Sequence, residues 1–234
     1  MGIFDKFKKN KNTNNENSKV EELETGSTHG WDAIVERFEE LYPEQTNPKH
    51  YAPLINPMFG NQDTPLFGTS VYDGGDFWHF VTYGFSDVYD EIKEDSEWSN
   101  WGFELTLKLK KTTEMTDTQK EEEELKNISG VLQGLGKYVF GSGKGFLPYQ
   151  YIYSQQTEGF DAKQASKLTG FATVTDEAGT IETANGKVEF LCIVGLTDKE
   201  LRSIYEGVHT TEEILNLLAS DLTDFERDDL INKK

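Results

Sequence analysis

Gly141-Ser142-Gly143-Lys144-Gly145 is the part of the sequence that comes nearest to a phosphate-binding loop. Such a loop needs an earlier glycine at a fixed spacing and a Ser or Thr directly after the lysine to hold a metal ion. Here Gly145 takes that place, and the run follows a predicted helix instead of a strand. We therefore interpret it as a solvent-exposed linker.

The four histidines lie far apart in the sequence and have no partner at metal-ligand spacing: His29, His50, His79 and His209. Only His79 has a catalytic alternative, since an acid near Asp76 or Asp87 could pair with it for acid–base chemistry. A histidine in an aromatic strand is more commonly structural. The sequence also lacks a serine elbow, a zinc-peptidase motif and a dinucleotide fingerprint. We therefore predict no enzyme activity, no metal and no cofactor.

The charge balance favours a protein partner over a nucleic acid. The 234 residues include 42 acids and 23 bases, which gives a net charge of −19 at pH 7. Nucleic-acid affinity comes largely from basic groups that neutralise phosphates, so DNA and RNA are poor candidates. Residues 198–229 alone hold ten acids and three bases. This composition suits a basic protein surface, although acidity can also serve solubility alone.

The predicted location is the cytoplasm. No stretch approaches the roughly 20 apolar residues of a membrane span, and the N-terminus lacks a signal-peptide core. Cys192 is the only cysteine, and it lies inside the apolar run Val188–Leu196, which predicts a buried thiol. Residues 1–26 read as a charged, Asn-rich flexible tail, and residues 27–234 as one domain.

Periodicity predicts the elements of the first half. Apolar spacing gives a helix from Trp31 to Leu41, and irregular chain follows from Pro43 to Pro65. Strands are predicted at residues 76–85 and 103–110. Apolar and polar residues alternate strictly in the second strand, so one face should pack on a core and the other should meet solvent.

The second half is predicted to hold a helix at residues 118–140, with Gly141 as its C-cap. Strands follow at residues 149–153, 170–175 and 180–183, and Asn185-Gly186 signals a hairpin into a central strand at 187–196. Two capping boxes, Thr197 with Glu200 and Thr210 with Glu213, begin two short helices. These elements give an α+β fold with a mixed central β-sheet flanked by helices.

Four tyrosines cluster around the glycine-rich linker: Tyr138, Tyr149, Tyr151 and Tyr153. Tyrosines on loops are good interface anchors. The alternative is that the last three form one face of a strand packed on the core. The sequence leaves both interpretations open.

Several segments resemble the suppressor-of-fused domain in the same order. They are residues 30–34 (GWDAI), 41–45 (LYPEQ), 78–89 (WHFVTYGFSDVY), 102–106 (GFELT), 132–135 (LQGL), 137–140 (KYVF) and 188–200. The resemblance covers about residues 29–220, and it implies the family's N-terminal-domain fold, a central sheet flanked by helices.

The resemblance also implies a mode of action. In animals, this domain and a second one clamp a short peptide of a transcription factor by strand addition. The Arg-Tyr pair of that groove falls on Lys137-Tyr138, while a groove aspartate falls on Gln150 and a histidine on Gln155. Stand-alone bacterial members resemble immunity proteins that neutralise toxins, often nucleases, which must be basic to bind their substrate.

The leading hypothesis is therefore an immunity protein or antitoxin that binds and occludes a cognate toxin domain. The alternative is a regulatory protein that sequesters an extended peptide of a transcription or signalling factor. The oligomeric state is left open. The predicted partner-binding residues are Lys137, Tyr138, Tyr149, Gln150, Glu212, Glu213, Asp221 and Asp224.

Overall fold

The computed structural model describes residues 28–45, 47–54, 57, 65–89 and 96–231, so the predicted tail at residues 1–26 lies outside the described residues. The described helices are α1 (His29–Leu41), α2 (Thr118–Ser142), α3 (Asp198–Tyr205) and α4 (Thr211–Leu218), with a 3-10 turn at Thr113–Thr116. The described strands are β1 (Lys49–Tyr51), β2 (Gly68–Asp73), β3 (Phe77–Tyr83), β4 (Trp98–Lys110), β5 (Tyr151–Ile152), β6 (Leu168–Thr183), β7 (Gly186–Thr197) and β8 (Leu222–Thr223).

The eight strands form one mixed sheet. Its order is β1-β2-β3-β4-β7-β6-β5, and β8 pairs with β4 beside this path. β4 runs parallel to β7 and to β8, while the other neighbouring pairs are antiparallel. The predicted α+β class with a mixed central sheet is confirmed.

α2 covers one face of the sheet. Its buried apolar residues recur at helical spacing and are Leu125, Ile128, Leu132, Leu135 and Val139. They join the apolar residues of β4 in one hydrophobic cluster. The helix also passes close to Leu66, because a Cβ added at Gly136 would lie 2.8 Å from the Leu66 Cγ. This close packing fixes the end of α2 against the sheet.

The opposite face is covered by α1, α3 and α4. Ile34 and Phe38 of α1 pack in a cluster with Phe190 of β7. Leu201 of α3 and Ile214 of α4 belong to another cluster on the same face. As predicted, α3 and α4 each begin with a complete capping box, formed by Thr197 with Glu200 and by Thr210 with Glu213.

β4 corrects the prediction that the alternating strand is half exposed. Its polar residues Glu104, Thr106 and Lys108 are at most 4% exposed, and its apolar residues on the other face are buried as well. The alternation identified the two faces correctly. It could not reveal that other strands of the sheet supply polar partners to the polar face.

The β6–β7 hairpin is confirmed, and its two-residue turn is Ala184-Asn185, between the paired Thr183 and Gly186. The strands predicted at 170–175 and 180–183 are one strand, because β6 continues through a register shift between Thr175 and Thr180. β7 lies between β4 and β6, as its apolar sequence predicted, and Cys192 is completely buried.

Several predicted boundaries need correction. Gly141 does not cap α2, which continues to Ser142 and ends at Gly143 with φ of 69°. β1 lies within the stretch predicted to be irregular, and the predicted strand at 149–153 shrinks to β5. β2 has no counterpart in the prediction, because its small polar residues are buried without an alternating pattern. Among the described helices, none has the length and apolar character needed to cross a membrane.

Candidate protein-binding site

β5 forms one end of the sheet and leaves its outer edge open in the described chain. The Gln150 carbonyl accepts the Thr173 N–H at 2.9 Å. The Ile152 carbonyl faces Gly170, where an added Cβ would lie 2.4 Å from it. Since backbone groups alternate in direction along a strand, the N–H and C=O of Tyr151 point away from β6. This edge can therefore pair with a further strand.

A buried threonine of β6 holds the segment that leads into β5. The hydroxyl of Thr173 donates to the Leu147 carbonyl at 2.6 Å and accepts the Gln150 N–H at 3.0 Å. The Thr173 carbonyl accepts the Tyr149 N–H at 2.7 Å. Tyr149 has a φ of 63°, in the left-handed region that side chains rarely adopt, so these bonds hold it in a strained turn.

Large apolar side chains are exposed on this edge, on the segment that leads into it and at the end of α2. The residues of this β5 patch and their exposures are Tyr138 (49%), Phe140 (41%), Leu147 (63%), Tyr149 (51%) and Tyr151 (37%). Tyr138 stacks on the buried Phe146 at a centroid distance of 5.9 Å, and Phe140 lies edge-on to Trp101 at 5.8 Å. Rings supported in this way offer a rigid surface at small entropic cost.

Four of the predicted partner-binding residues lie at this patch. Lys137 and Tyr138 are exposed near the end of α2, and Tyr149 and Gln150 are exposed just before β5. The Gln150 side chain turns back to accept the Leu147 N–H at 3.2 Å. Sequence reasoning missed Phe140, Leu147 and Thr173. Phe140 directly follows Val139, the last apolar residue of the helical pattern, so the pattern itself does not mark it. The role of Thr173 depends on contacts across the sheet.

The question about the tyrosines has a divided answer. Tyr149 and Tyr151 are exposed, as an interface requires. Tyr153 instead donates a hydrogen bond of 2.7 Å to Asp198 and packs beside α3. Tyr149 and Tyr151 therefore belong to the exposed surface, whereas Tyr153 helps to pack α3 against the sheet.

The four predicted acidic residues lie elsewhere in the fold. Glu212 and Glu213 are exposed on the first turn of α4, and the Glu213 carboxylate accepts the Thr210 N–H at 2.7 Å. Asp221 and Asp224 flank β8. Their carboxylates pair with Lys108 at 2.6 Å and with Lys110 at 2.7 Å. These two acids are therefore neutralised within the chain.

His79 takes part in a buried polar network. Its Nε2 lies 3.2 Å from Asp176, and its Nδ1 lies 2.7 Å from the Tyr42 hydroxyl. The Thr106 hydroxyl donates to the same Asp176 oxygen at 2.8 Å. The acid beside His79 is thus Asp176, not one near Asp76 or Asp87. Because His79 and Asp176 are completely enclosed, a substrate cannot reach this pair in the described structure.

The charge of Asp176 fits this network. Burial opposes ionisation, but the hydrogen bond and charge of His79, the Ala178 N–H and the Lys108 ammonium outweigh it. Together they lower the pKa of the Asp176 carboxyl to about 2. The carboxylate is therefore ionised at neutral pH.

Asp176, Cys192 and Asp221 form the one group of potential metal ligands among the described residues, with ligand atoms within 4.8 Å of one another. The Lys108 ammonium already supplies a cation there, at 2.6 Å from Asp221 and 4.0 Å from Asp176. Burial also raises the pKa of the Cys192 thiol well above its ordinary value, although metals bind the thiolate. The chemistry of this cluster therefore does not fit a metal ion.

Glu104 is a second buried carboxyl, and hydrogen bonds surround it. Its oxygens accept the Gly84 N–H at 2.9 Å, the Ser86 hydroxyl at 2.6 Å and the Thr82 hydroxyl at 2.6 Å. Burial raises its pKa to about 7 even though these bonds favour ionisation. Glu104 thereby holds the end of β3 and the following loop against β4.

Comparisons with known proteins agree with this architecture. The family model described as suppressor of fused protein (SUFU) matches residues 63–228. A solved structure described as the Sufu–Fu complex has a TM-score of 0.75 and 28% identity, over 87% of this chain and 93% of that chain. Drosophila Suppressor of Fused has a TM-score of 0.72 and 28% identity, over 87% of this chain and 52% of that chain.

The chain therefore spans about half the length of the Drosophila protein. None of the curated proteins matches the sequence at a significant level. The family match extends over most of the chain, and the mixed sheet and flanking helices are shared with the solved structures. This chain belongs to the suppressor of fused family, whose members are regulatory proteins that bind other proteins.

Proposed function

We propose that this chain is a non-enzymatic binding module that holds an extended segment of a partner protein along β5. One observation carries the proposal. The outward-pointing backbone of Tyr151 follows directly after the exposed Leu147 and Tyr149, and the half-exposed Tyr138 stacks on Phe146 of the same segment. An exposed apolar patch of this kind marks an interaction surface, and an open strand edge offers directional hydrogen bonds.

The open strand edge and the exposed rings would make different contributions to binding. Hydrogen bonds from the backbone of the partner segment to Tyr151 would set its direction and register. Alternate side chains of that segment would then contact Tyr138 and Tyr149, whose rings are about half exposed. Buried aromatic anchors commonly contribute about 2 kcal/mol or more each to binding. A related structure was solved as a complex of Sufu with Fu, which supports a protein-binding role.

A matched pair of variants tests strand addition. A displayed peptide library would first be selected on the wild-type protein, and the affinity of the selected peptides measured. Tyr151→Pro removes the outward N–H, whereas Tyr151→Ala removes the ring and keeps the N–H. We expect Tyr151→Pro to weaken binding at least tenfold more than Tyr151→Ala. Equal effects of the two variants would argue against strand addition.

A second candidate function is that of an immunity protein or antitoxin. It is supported by the net charge of −19 and by the exposed acids Glu212 and Glu213 on α4, which suit a basic toxin surface. Asp221 and Asp224 contribute less to this candidate, because lysines of β4 neutralise them. Such a protein would act in the cytoplasm, the location predicted from the sequence.

Co-expression tests the second candidate. The chain would be expressed together with a toxin domain encoded beside it, and cell survival measured. We expect Glu212→Lys together with Glu213→Lys to reduce rescue, while Glu182→Lys, which changes an exposed acid on β6, serves as the control. Failure of the wild-type chain to bind or neutralise the toxin would reject this function and leave strand addition at β5 untouched.

A further inference from the structure

β8 fills a gap that opens between two central strands. β4 and β7 are paired as far as Thr106 and Cys192. Beyond that point β8 pairs with β4, where Lys108 lies opposite Leu222 and Leu109 opposite Thr223. On its other side, the Thr223 hydroxyl accepts the Gly195 N–H of β7 at 3.0 Å. The chain thus inserts its own segment between β4 and β7.

The gap is shaped for a small side chain. Thr223 is completely buried, and a Cβ added at Gly195 would lie 3.1 Å from the Thr223 Cγ2. Residues 220–224, which we call the C-terminal flap, contain no other buried residue, and Phe225, which packs edge-on against Phe160 at 5.2 Å, follows directly after it. Segments with few buried apolar contacts open locally at a small free-energy cost. The flap has this character.

Opening would leave no isolated charge at Lys108. In the closed flap, the Lys108 ammonium contacts Asp221 at 2.6 Å. It also contacts Glu177 at 2.9 Å and Asp176 at 4.0 Å, and both of these acids belong to β6. Because those two partners stay in place, removal of Asp221 avoids the cost of a buried unpaired ion.

The flap is bounded by two fixed points. Ala219 caps α4 in the left-handed conformation, with φ of 52°, and this is a strained position for a residue other than glycine. After the flap, the Arg227 guanidinium donates to the completely buried Glu200 at 2.6 and 2.7 Å and to the Gly195 carbonyl at 2.9 Å. Loss of these bonds would leave Glu200 without its cation. Arg227 therefore anchors the far end.

We propose that the flap opens between Ala219 and Phe225, and that the gap then accepts an extended acidic peptide from a partner protein. An acid of that peptide would take the place of Asp221 beside Lys108, and a small β-branched residue would take the place of Thr223. Lys110, which pairs with Asp224 at 2.7 Å, supplies a second positive charge at the rim. This site is separate from the β5 edge.

Amide hydrogen exchange on the full chain tests the opening. The Gly195 N–H donates to the Thr223 hydroxyl of the flap, so it loses this partner when the flap lifts. We expect Asp221→Asn to speed its exchange about tenfold, as the loss of a half-buried ion pair predicts. Asp228→Asn, which removes an acid 89% exposed in the same C-terminal segment, is the matched control and should change little.

The Ile193 amide of central β7 reports global unfolding in the same experiment. Exchange of the Gly195 amide at the same rate as the Ile193 amide in both variants would overturn the opening. A labelled peptide with the sequence of residues 219–225 tests acceptance. We expect it to bind the Asp221→Asn variant about tenfold more tightly than the wild type. We also expect the peptide to lose affinity when the aspartate that corresponds to Asp221 is replaced by lysine. Absence of binding to Asp221→Asn would overturn the acceptor site.

Discussion

The Nε2 of His79 lies 3.2 Å from the carboxylate of Asp176, and both side chains are completely buried. His79 belongs to β3 and Asp176 to β6, two strands that β4 and β7 separate in the sheet. The register shift in β6 after Thr175 brings Asp176 over the sheet face, where Thr106 and Lys108 also contact it. This polar network ties three strands together: β3, β4 and β6.

The His79–Asp176 pair should matter for stability. His79→Ala removes one hydrogen-bond donor of the buried Asp176 carboxylate, which keeps Thr106 and the Ala178 N–H, whereas Asp176→Ala leaves several buried donors without their acceptor. Removal of one partner of a buried hydrogen bond costs about 1–3 kcal/mol. We expect urea unfolding to show a loss of this size for both variants. Glu177→Gln, at an acid 54% exposed, should cost less than about 1 kcal/mol, and an equal loss there would contradict the role of the pair.

Glu104 should make stability depend on pH in a defined window. Its pKa in the fold is about 7, above the ordinary value of 4.5. The folded state therefore retains a proton that the unfolded state releases, and stability falls as pH rises from about 4.5 to about 7. The shift corresponds to about 3 kcal/mol. Unfolding at a series of pH values should show this slope in the wild type but not in Glu104→Gln, and identical slopes would contradict the assignment.

The β5 patch should dominate peptide affinity. Tyr138→Ala removes a ring that is 49% exposed and stacked on Phe146, so we expect it to weaken binding of a library-selected peptide tenfold or more. Tyr205→Ala on α3 removes a ring that is 62% exposed and should have little effect. Fluorescence polarisation measures both affinities. A larger effect at Tyr205 would place the site beside α3.

Two glycines at the end of α2 should respond oppositely to alanine. Gly143 has φ of 69°, and a Cβ added there would meet no atom within 4 Å, so Gly143→Ala suffers only the conformational penalty of about 1 kcal/mol. Gly141 is helical and equally open, so Gly141→Ala should stabilise the protein by about 0.5–1 kcal/mol. Thermal unfolding distinguishes the two, and a reversed order would place the C-cap at Gly141.

The sequence predicted the elements whose signals are local. The apolar spacing of α2, the capping boxes at Thr197 and Thr210, and the apolar run of β7 each depend on residues within one or two turns of chain. These predictions are confirmed. The resemblance to the suppressor-of-fused domain, which rests on an ordered set of short segments, is confirmed as well.

What the sequence missed depends on contacts between distant parts of the chain. The burial of Glu104 and Lys108 requires hydroxyls and acids from other strands, and the partner of His79 lies 97 positions away. For the candidate site, Tyr138 and Tyr149 were identified from residue type and loop position. Thr173 was not, because a threonine inside a predicted strand carries no sign that it holds the segment on the neighbouring edge.

The parallel pairing of β4 with β7 has a consequence for how the chain folds during synthesis. Phe103 and Glu189 are neighbours in the sheet although they lie far apart in the sequence, so their contact requires closure of a long loop. The β2–β3–β4 meander and the β6–β7 hairpin can each form from local contacts as they leave the ribosome. The meander must then wait, with the edge of β4 unpaired, until β7 has been made. Such nonlocal sheets fold slowly, over about milliseconds to seconds, and during that interval β4 is the part of the nascent chain most exposed to aggregation.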